Sequence, residues 1–214
     1  TARNLLLCNI FFGGVCGVSF QNHKYRAGAP PPYYPNADQG PAKGRIALLD
    51  GSDPRGIRPR QTAQSPASAM DGPMRFVPNS LTPDFYAVNT MLPPYTPSYD
   101  LDAGRPGYTD WSSAKTLVPQ RHATIGDMLS ARGIDWAWYA GGWGAALAGH
   151  GTDAEFPTRP NFQPHHQPLN YFVQFAPGTA KRDRHLRDGG LGETARTNKF
   201  LADVEAGRLP AVSY

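Results

Sequence analysis

Between residues 29 and 119 the chain meets proline so often that neither a long helix nor a central sheet strand can run through it. Proline fixes its own φ, removes a backbone donor and pushes the residue before it toward extended geometry. Pro30-Pro31-Pro32-Tyr33-Tyr34-Pro35 is therefore extended or polyproline-like, and Asp53-Pro54-Arg55-Gly56 is a turn. Two short runs, residues 45–50 and the end of 81–90, have the apolar content of strands. Some ninety residues with little regular structure are unusual inside a compact domain, and such stretches commonly shape or cover a site. Over the whole chain 23 Gly and 22 Pro make up about a fifth of the residues, which predicts few regular elements joined by long loops. Aromatic residues at 11% and hydrophobic residues at 40% supply a core and speak against disorder.

Regular structure is expected on both sides of this stretch. Residues 4–12 are apolar and break at Gly13-Gly14, the pattern of a buried strand entering a turn. From Ser19 to Arg26 no breaker intervenes, and Phe20, His23 and Lys24 share one helical face. The order is then strand, glycine turn, serine, helix. A serine at a helix N-terminus faces unpaired N–H groups and the positive end of the dipole, where a phosphoryl group or a serine alkoxide is stabilised. The alternative is that Ser19 only caps its helix.

Farther on, Thr124-Ile125-Gly126-Asp127 has the form of a capping box with Asp in the usual Glu position. Ile125, Met128 and Leu129 are expected to form the apolar face of the helix, and Gly133 to end it. Residues 134–140 read as a mostly apolar strand stopped by Gly141-Gly142, with Trp136 and Trp138 in the core. A helix is expected over 197–207, closed by Gly207, with a strand beginning at Leu209. Helix followed by apolar strand is the unit of an α/β sheet. Because the chain starts without methionine and stops inside an apolar run, it is read as an internal fragment of one catalytic domain, residues 1–214.

Charge and cysteine usage exclude more than they assign. The formal net charge is +4 and the pI about 9.1, but the densest basic run, residues 181–188, is interrupted by Asp183 and Asp188. That is compatible with an anionic small substrate and gives no nucleic-acid patch. Cys8 and Cys16 are the only cysteines and do not have zinc-ribbon spacing. No run of apolar residues is long enough for a transmembrane helix.

The densest chemistry lies in Phe162-Gln163-Pro164-His165-His166-Gln167-Pro168-Leu169-Asn170-Tyr171-Phe172. Gln163 and Gln167 precede prolines, which predicts a stiff, non-helical segment around His165 and His166. Imidazoles titrate near neutrality, so a held pair can bind metal, stabilise an anion or pass protons. As a solvated loop the pair would do none of these. A metal site unrelated to phosphate would need His150, Asp153 or Glu155 as further ligands, and no helical H-x-x-x-H spacing supports it. A non-catalytic extracellular binding module would draw on the Tyr, Trp and Pro content.

Several stretches resemble the bacterial phosphoesterase family that contains acid phosphatases and phosphocholine-type phospholipases C. They are the histidine segment above, residues 124–143 from Thr124-Ile125-Gly126-Asp127 through Trp136-Ala137-Trp138-Tyr139, and Gly207-Arg208-Leu209-Pro210-Ala211-Val212-Ser213. Pro83-Asp84-Phe85-Tyr86-Ala87-Val88-Asn89-Thr90-Met91 and Tyr34-Pro35-Asn36-Ala37-Asp38 are similar as well and lean toward the acid phosphatase branch. The resemblance implies an alkaline-phosphatase-like α/β/α sandwich. It implies metal-assisted hydrolysis of phosphate esters, with phospholipid head groups as the alternative substrate, and a periplasmic or secreted location. Gly17-Val18-Ser19-Phe20-Gln21-Asn22-His23 looks like the family's Gly-Gly-Ser-Phe-Leu-Asn-His-like segment, with Val18 in place of a glycine. Ser19 is then the implied nucleophile and a contact of the divalent metal ion, and the family's histidine pair falls on His165 and His166. The family's Glu-Asn pair and its Asp-Glu-Asn-like motif do not occur in the chain, so most metal ligands are expected from outside it and the fragment is expected to be inactive alone.

Overall fold

A computed structural model describes residues 19–56, 58–68, 70–72, 74–75, 80–148, 162–192 and 194–214. The strand expected over 4–12, both cysteines, Gly17 and Val18, and the alternative ligands His150, Asp153 and Glu155 lie outside the described residues. The fold is α/β. Helix α1 (Ser19–Gly28) comes first, followed by long irregular chain, then α2 (Ile125–Ala131), β1 (Trp136–Gly141), α3 (Trp143–Ala148), α4 (Ala180–His185), β2 (Leu186–Gly190), α5 (Lys199–Glu205) and β3 (Val212–Ser213). The three strands form a parallel sheet in the order β2-β1-β3. Trp138 pairs with Leu186 on one side of β1, and Trp136 pairs with Val212 on the other.

Local sequence signals account for the best-defined elements. Thr124 accepts from the Asp127 N–H while the Asp127 carboxylate accepts from the Thr124 N–H, the expected capping box. At the other end Gly133 takes φ 67°, and the N–H groups of Gly133 and Ile134 donate to the carbonyls of Ser130 and Leu129. This is a Schellman closure, which needs a left-handed residue after the cap. Of the expected apolar face of α2 only Leu129 packs against the core. Ile125 and Met128 are exposed, and it is Gly126 that is buried, against the indole of Trp136. Hydrophobic periodicity ranks side chains by polarity and passes over a position where none fits. Here the large residue belongs to the strand, and the helix makes room for it.

The proline-rich stretch behaves as expected. Its only regular element among the described residues is a single 3₁₀ turn, Pro41–Arg45. The strands expected at 45–50 and near 81–90 are reduced to isolated bridges, Ile46 with Leu81, Leu49 with Pro59 and Leu81 with Ala87. The prolines at 54, 59 and 83 interrupt any longer ladder. The stretch is nevertheless a structural layer. Tyr34, Ala37, Ala42, Leu81, Ala87, Met91 and Leu117 from it share a core with Phe20, Trp136, Leu169, Tyr171, Phe172 and Phe175. Gln120 closes it: its side-chain carbonyl accepts from the Tyr33 N–H at 2.9 Å and its amide donates to the Tyr33 carbonyl at 3.0 Å.

The basic run at 181–188 forms α4 and β2, and its charges have partners within the chain. Lys181 pairs with Asp127 and Arg187 donates to the Tyr139 hydroxyl. Arg182 points inward and donates to Thr96 O, Phe175 O and Asn170 Oδ1. No described helix is long and apolar enough to cross a membrane.

Candidate active site

Contrary to the expected non-helical segment, His165 and His166 are helical. They form a 3₁₀ turn, Pro164–His166, followed directly by a second, Pro168–Tyr171. The restriction imposed by proline falls on the residues before it. Gln163 (φ −123°, ψ 112°) and Gln167 (φ −100°, ψ 78°) are non-helical, while Pro164 and Pro168 each occupy the first position of a turn, where a missing N–H costs nothing. The pair is thus presented on a short, twice-pinned corner.

Helix α1 lies against both turns. His23 meets His166 with ring centroids 4.8 Å apart, and His165 and His166 are 4.3 Å apart. Ser19 opens the helix and is exposed. It stands one turn before His23, on the same side of α1, with about 5–6 Å expected between their Cβ atoms. The structure therefore puts Ser19, His23, His165 and His166 in one neighbourhood, although among the described residues no hydrogen bond joins the Ser19 hydroxyl to either member of the pair. What precedes Ser19 lies outside the described residues, so its role as a helix cap is not defined there.

The electrostatics of the cluster are unusual. His23 is lowered to about 4 by burial, then by His166, Lys24 and Arg26. His165 is also lowered to about 4, by burial and then by His166, His23 and Lys24. Burial lowers His166 in the same direction. All three rings are therefore neutral near pH 7, each with one donor and one acceptor nitrogen. An approaching phosphate would reverse this, since a nearby anion favours the charged imidazolium.

Lys24 lies behind the rings and is 1% exposed. Its Nζ donates to the Pro168 carbonyl at 2.7 Å and sits 3.0 Å from the centre of the Tyr171 ring. Burial pulls its pKa well below the usual lysine value. From the opposite side Trp138 of β1 donates its indole N–H to Gln167 Oε1 at 3.0 Å. Gln167 is the residue between the two turns, so the sheet and α1 both hold the corner that carries the histidines.

Among the described residues no three His, Cys, Asp or Glu side chains group as a metal site. The donors assembled here are imidazoles, and no carboxylate is among the groups acting on them. The described set does not fit the divalent ion expected from the resemblance, and no step below passes through one. His23 and Lys24 were not expected in the site. Their helical face was readable, but its partner, 140 residues away in sequence, was not. A cavity of about 390 Å³ lined by Gln21, Tyr25, Pro31, Pro32 and Tyr86 opens on another side of α1 and includes neither Ser19 nor the histidines.

A family model described as the Phosphoesterase family matches residues 1–214, the whole chain. No curated protein and no solved structure matches it.

Proposed function

The chain belongs to the phosphoesterase family, and from that premise we propose that it carries the nucleophile and the histidine wall of an acid phosphatase-like site. Hydrolysis of phosphate esters is the activity class that membership supports. The observation that carries the finer reading is the contact of His23 with His166, which brings the Ser19 helix and the His165–His166 turn together. Ser19 Oγ attacks phosphorus as its proton passes to a neutral imidazole of the pair, an Oγ–P bond forms, and the ester P–O bond breaks. The α1 N-terminus faces the negative charge on the equatorial oxygens. His165 or His166 hydrogen-bonds those oxygens or gives a proton to the departing alkoxide. Water then hydrolyses the phosphoserine and restores Ser19.

The depressed imidazoles suit a phosphatase and a phospholipase C alike, since both reactions expel an alkoxide from phosphorus, and the acid phosphatase reading rests on the sequence resemblance. A histidine whose resting pKa is about 4 becomes a proton donor in acid, or when a phosphate group raises its pKa. The family is generally metal-dependent, and ligands for a divalent ion would have to come from residues other than the described histidine cluster. Export to the periplasm or beyond belongs to the same proposal.

The test is release of phosphate from an aryl phosphate by the full-length protein, with and without added Mg²⁺, Mn²⁺ or Ca²⁺, alongside phosphatidylcholine vesicles. Ser19→Ala should lower turnover by at least about a thousandfold. Retained turnover would remove Ser19 from the nucleophile role.

A further inference from the structure

Lys24 is a buried titratable group with no part in the phosphoryl chemistry. It is 1% exposed, and no carboxylate among the described residues pairs with it. Phe20, Tyr171 and Phe172 surround it, with its Nζ 5.8, 3.0 and 5.7 Å from the three ring centres. Aromatic faces attract an ammonium, but such a slot would hold a methionine without the desolvation that a lysine brings. What methionine cannot do is donate a hydrogen bond. The acceptor of that bond is the carbonyl of Pro168, two residues after His166, at the joint between the two 3₁₀ turns.

The placement along α1 gives the bond its geometric consequence. His23 touches the first turn through the His166 ring, and Lys24, the next residue, is bonded to the second turn through Pro168. Two consecutive residues of one helix are thus seated on two consecutive turns of another segment. Ser19 lies on the same rigid helix, one turn before His23. Sliding or rotating α1 against the turns would break the Lys24 bond first, because a hydrogen bond is directional and a ring contact is not.

We propose that Lys24 is a positioning residue of this site: its Nζ, donating to the Pro168 carbonyl and lying over the Tyr171 ring, fixes the His165–His166 turn relative to Ser19. This rests on the reading of Ser19 as nucleophile, and the experiment separates the two. Lys24→Met fills the slot with similar length and no donor. In the full-length enzyme acting on an aryl phosphate, kcat should fall about a hundredfold, the size of loss that a displacement near 1 Å produces, with KM changed by no more than about threefold. The variant should keep its near-UV circular dichroism, because an apolar side chain suits an apolar slot. Lys24→Leu, which is apolar, shorter and has no donor, carries the same test should the methionine variant not fold. The idea is overturned if a folded Lys24→Met or Lys24→Leu enzyme turns over at the wild-type kcat, or if KM alone rises. Ser19→Ala measured in parallel distinguishes the failures. An active Ser19→Ala enzyme sinks the nucleophile reading, whereas an inactive one beside a fully active Lys24 variant sinks only the positioning role.

Discussion

Acidification from about pH 7.5 to about pH 5 should weaken the fold through His23 and His165. Burial first, and then the His166 ring, hold both imidazoles near 4 in the folded protein, against an ordinary value of 6.5. In the unfolded chain they titrate near 6.5, so between these limits the unfolded state binds more protons. The stability of the neutral rings is therefore fully present above pH 6.5 and is lost as the pH falls toward 4. For one unscreened imidazole shifted this far, linkage gives about 2 kcal/mol lost at pH 5. Both rings are only partly buried, so solvent screening halves this to about 1 kcal/mol each, or about 2 kcal/mol for the pair. The pair titrates as a coupled unit through His166, so only the sum has meaning. Asp50 and Asp127, held at about 2, lose their contribution below the ordinary carboxylate value and stay outside the window.

Urea unfolding followed by tryptophan fluorescence measures the effect. With a slope of about 2 kcal/mol/M, the midpoint should fall by about 1 M between the two pH values. In His23→Gln/His165→Gln most of that fall should disappear, leaving the smaller shares of His166 and His122, whose imidazoles are lowered in the same direction. A midpoint that stays constant from pH 7.5 to 5, or a fall that survives in full in the double variant, would refute the reasoning.

Other positions give independent expectations. Gly126→Ala should destabilise although alanine is the better helix former, because the new Cβ would lie within 3.0 Å of three ring atoms of Trp136. That ring cannot move aside: it is stacked on His185 at 4.0 Å and bonded to Ser130 Oγ at 2.9 Å. A net loss of about 2 kcal/mol, read as a Tm drop of about 4–8 °C, is expected. Thr124→Ala removes half of the α2 capping box and should cost about 1–2 kcal/mol in urea unfolding, with Thr124→Ser close to wild type. Arg182→Met should cost about 2–4 kcal/mol on the same measurement, since Thr96 O, Phe175 O and Asn170 Oδ1 lose a charged donor together.

What could be read in advance was what is written locally. The α2 capping box, the Gly133 and Gly207 closures and the apolar β1 run are each specified within a few residues, and all four appear in the structure. β2 was missed because Leu186-Arg187-Asp188-Gly189-Gly190 has neither alternation nor β-branched residues. It is a strand because β1 pairs with it, and because Arg187 and Asp188 find Tyr139 and Lys199 across the surface. α3 was missed because Gly141-Gly142 reads as a stop, whereas Gly142, at φ 76°, is the bend from which Trp143–Ala148 starts. In the proposed site, Ser19, His165 and His166 were expected from motif resemblance, and α1 and the His165–His166 turn meet through His23 and His166. Lys24 was not, since a lysine between two helical neighbours reads as a solvated charge until its partners at Pro168 and Tyr171 are known.

The hold on the histidine corner from the sheet side gives a last prediction, and it tests whether the core and the site communicate. Trp138 packs in the core, lies 5.5 Å from Tyr214 in a stacked arrangement, and donates its indole N–H to Gln167 Oε1 at 3.0 Å. Trp138→Phe keeps an aromatic ring between the sheet and the core and deletes the donor. Gln167 is only partly buried, so its carbonyl can turn to water, and the stability cost should be about 1 kcal/mol, a Tm change of about 2–4 °C. The effect on the site should be disproportionate. Gln167 is joined by one peptide bond to His166 and by another to Pro168, so freeing its side chain removes one of the tethers of the His165–His166 turn, while the second turn stays anchored through Asn170 and Tyr171. With ¹⁵N-labelled histidine, the His165 and His166 ring resonances should shift or broaden in Trp138→Phe while that of His185, stacked on Trp136, stays in place. Unchanged His165 and His166 resonances beside the same small loss of Tm would mean that α1 alone fixes the corner, and that the indole bond only packs the sheet.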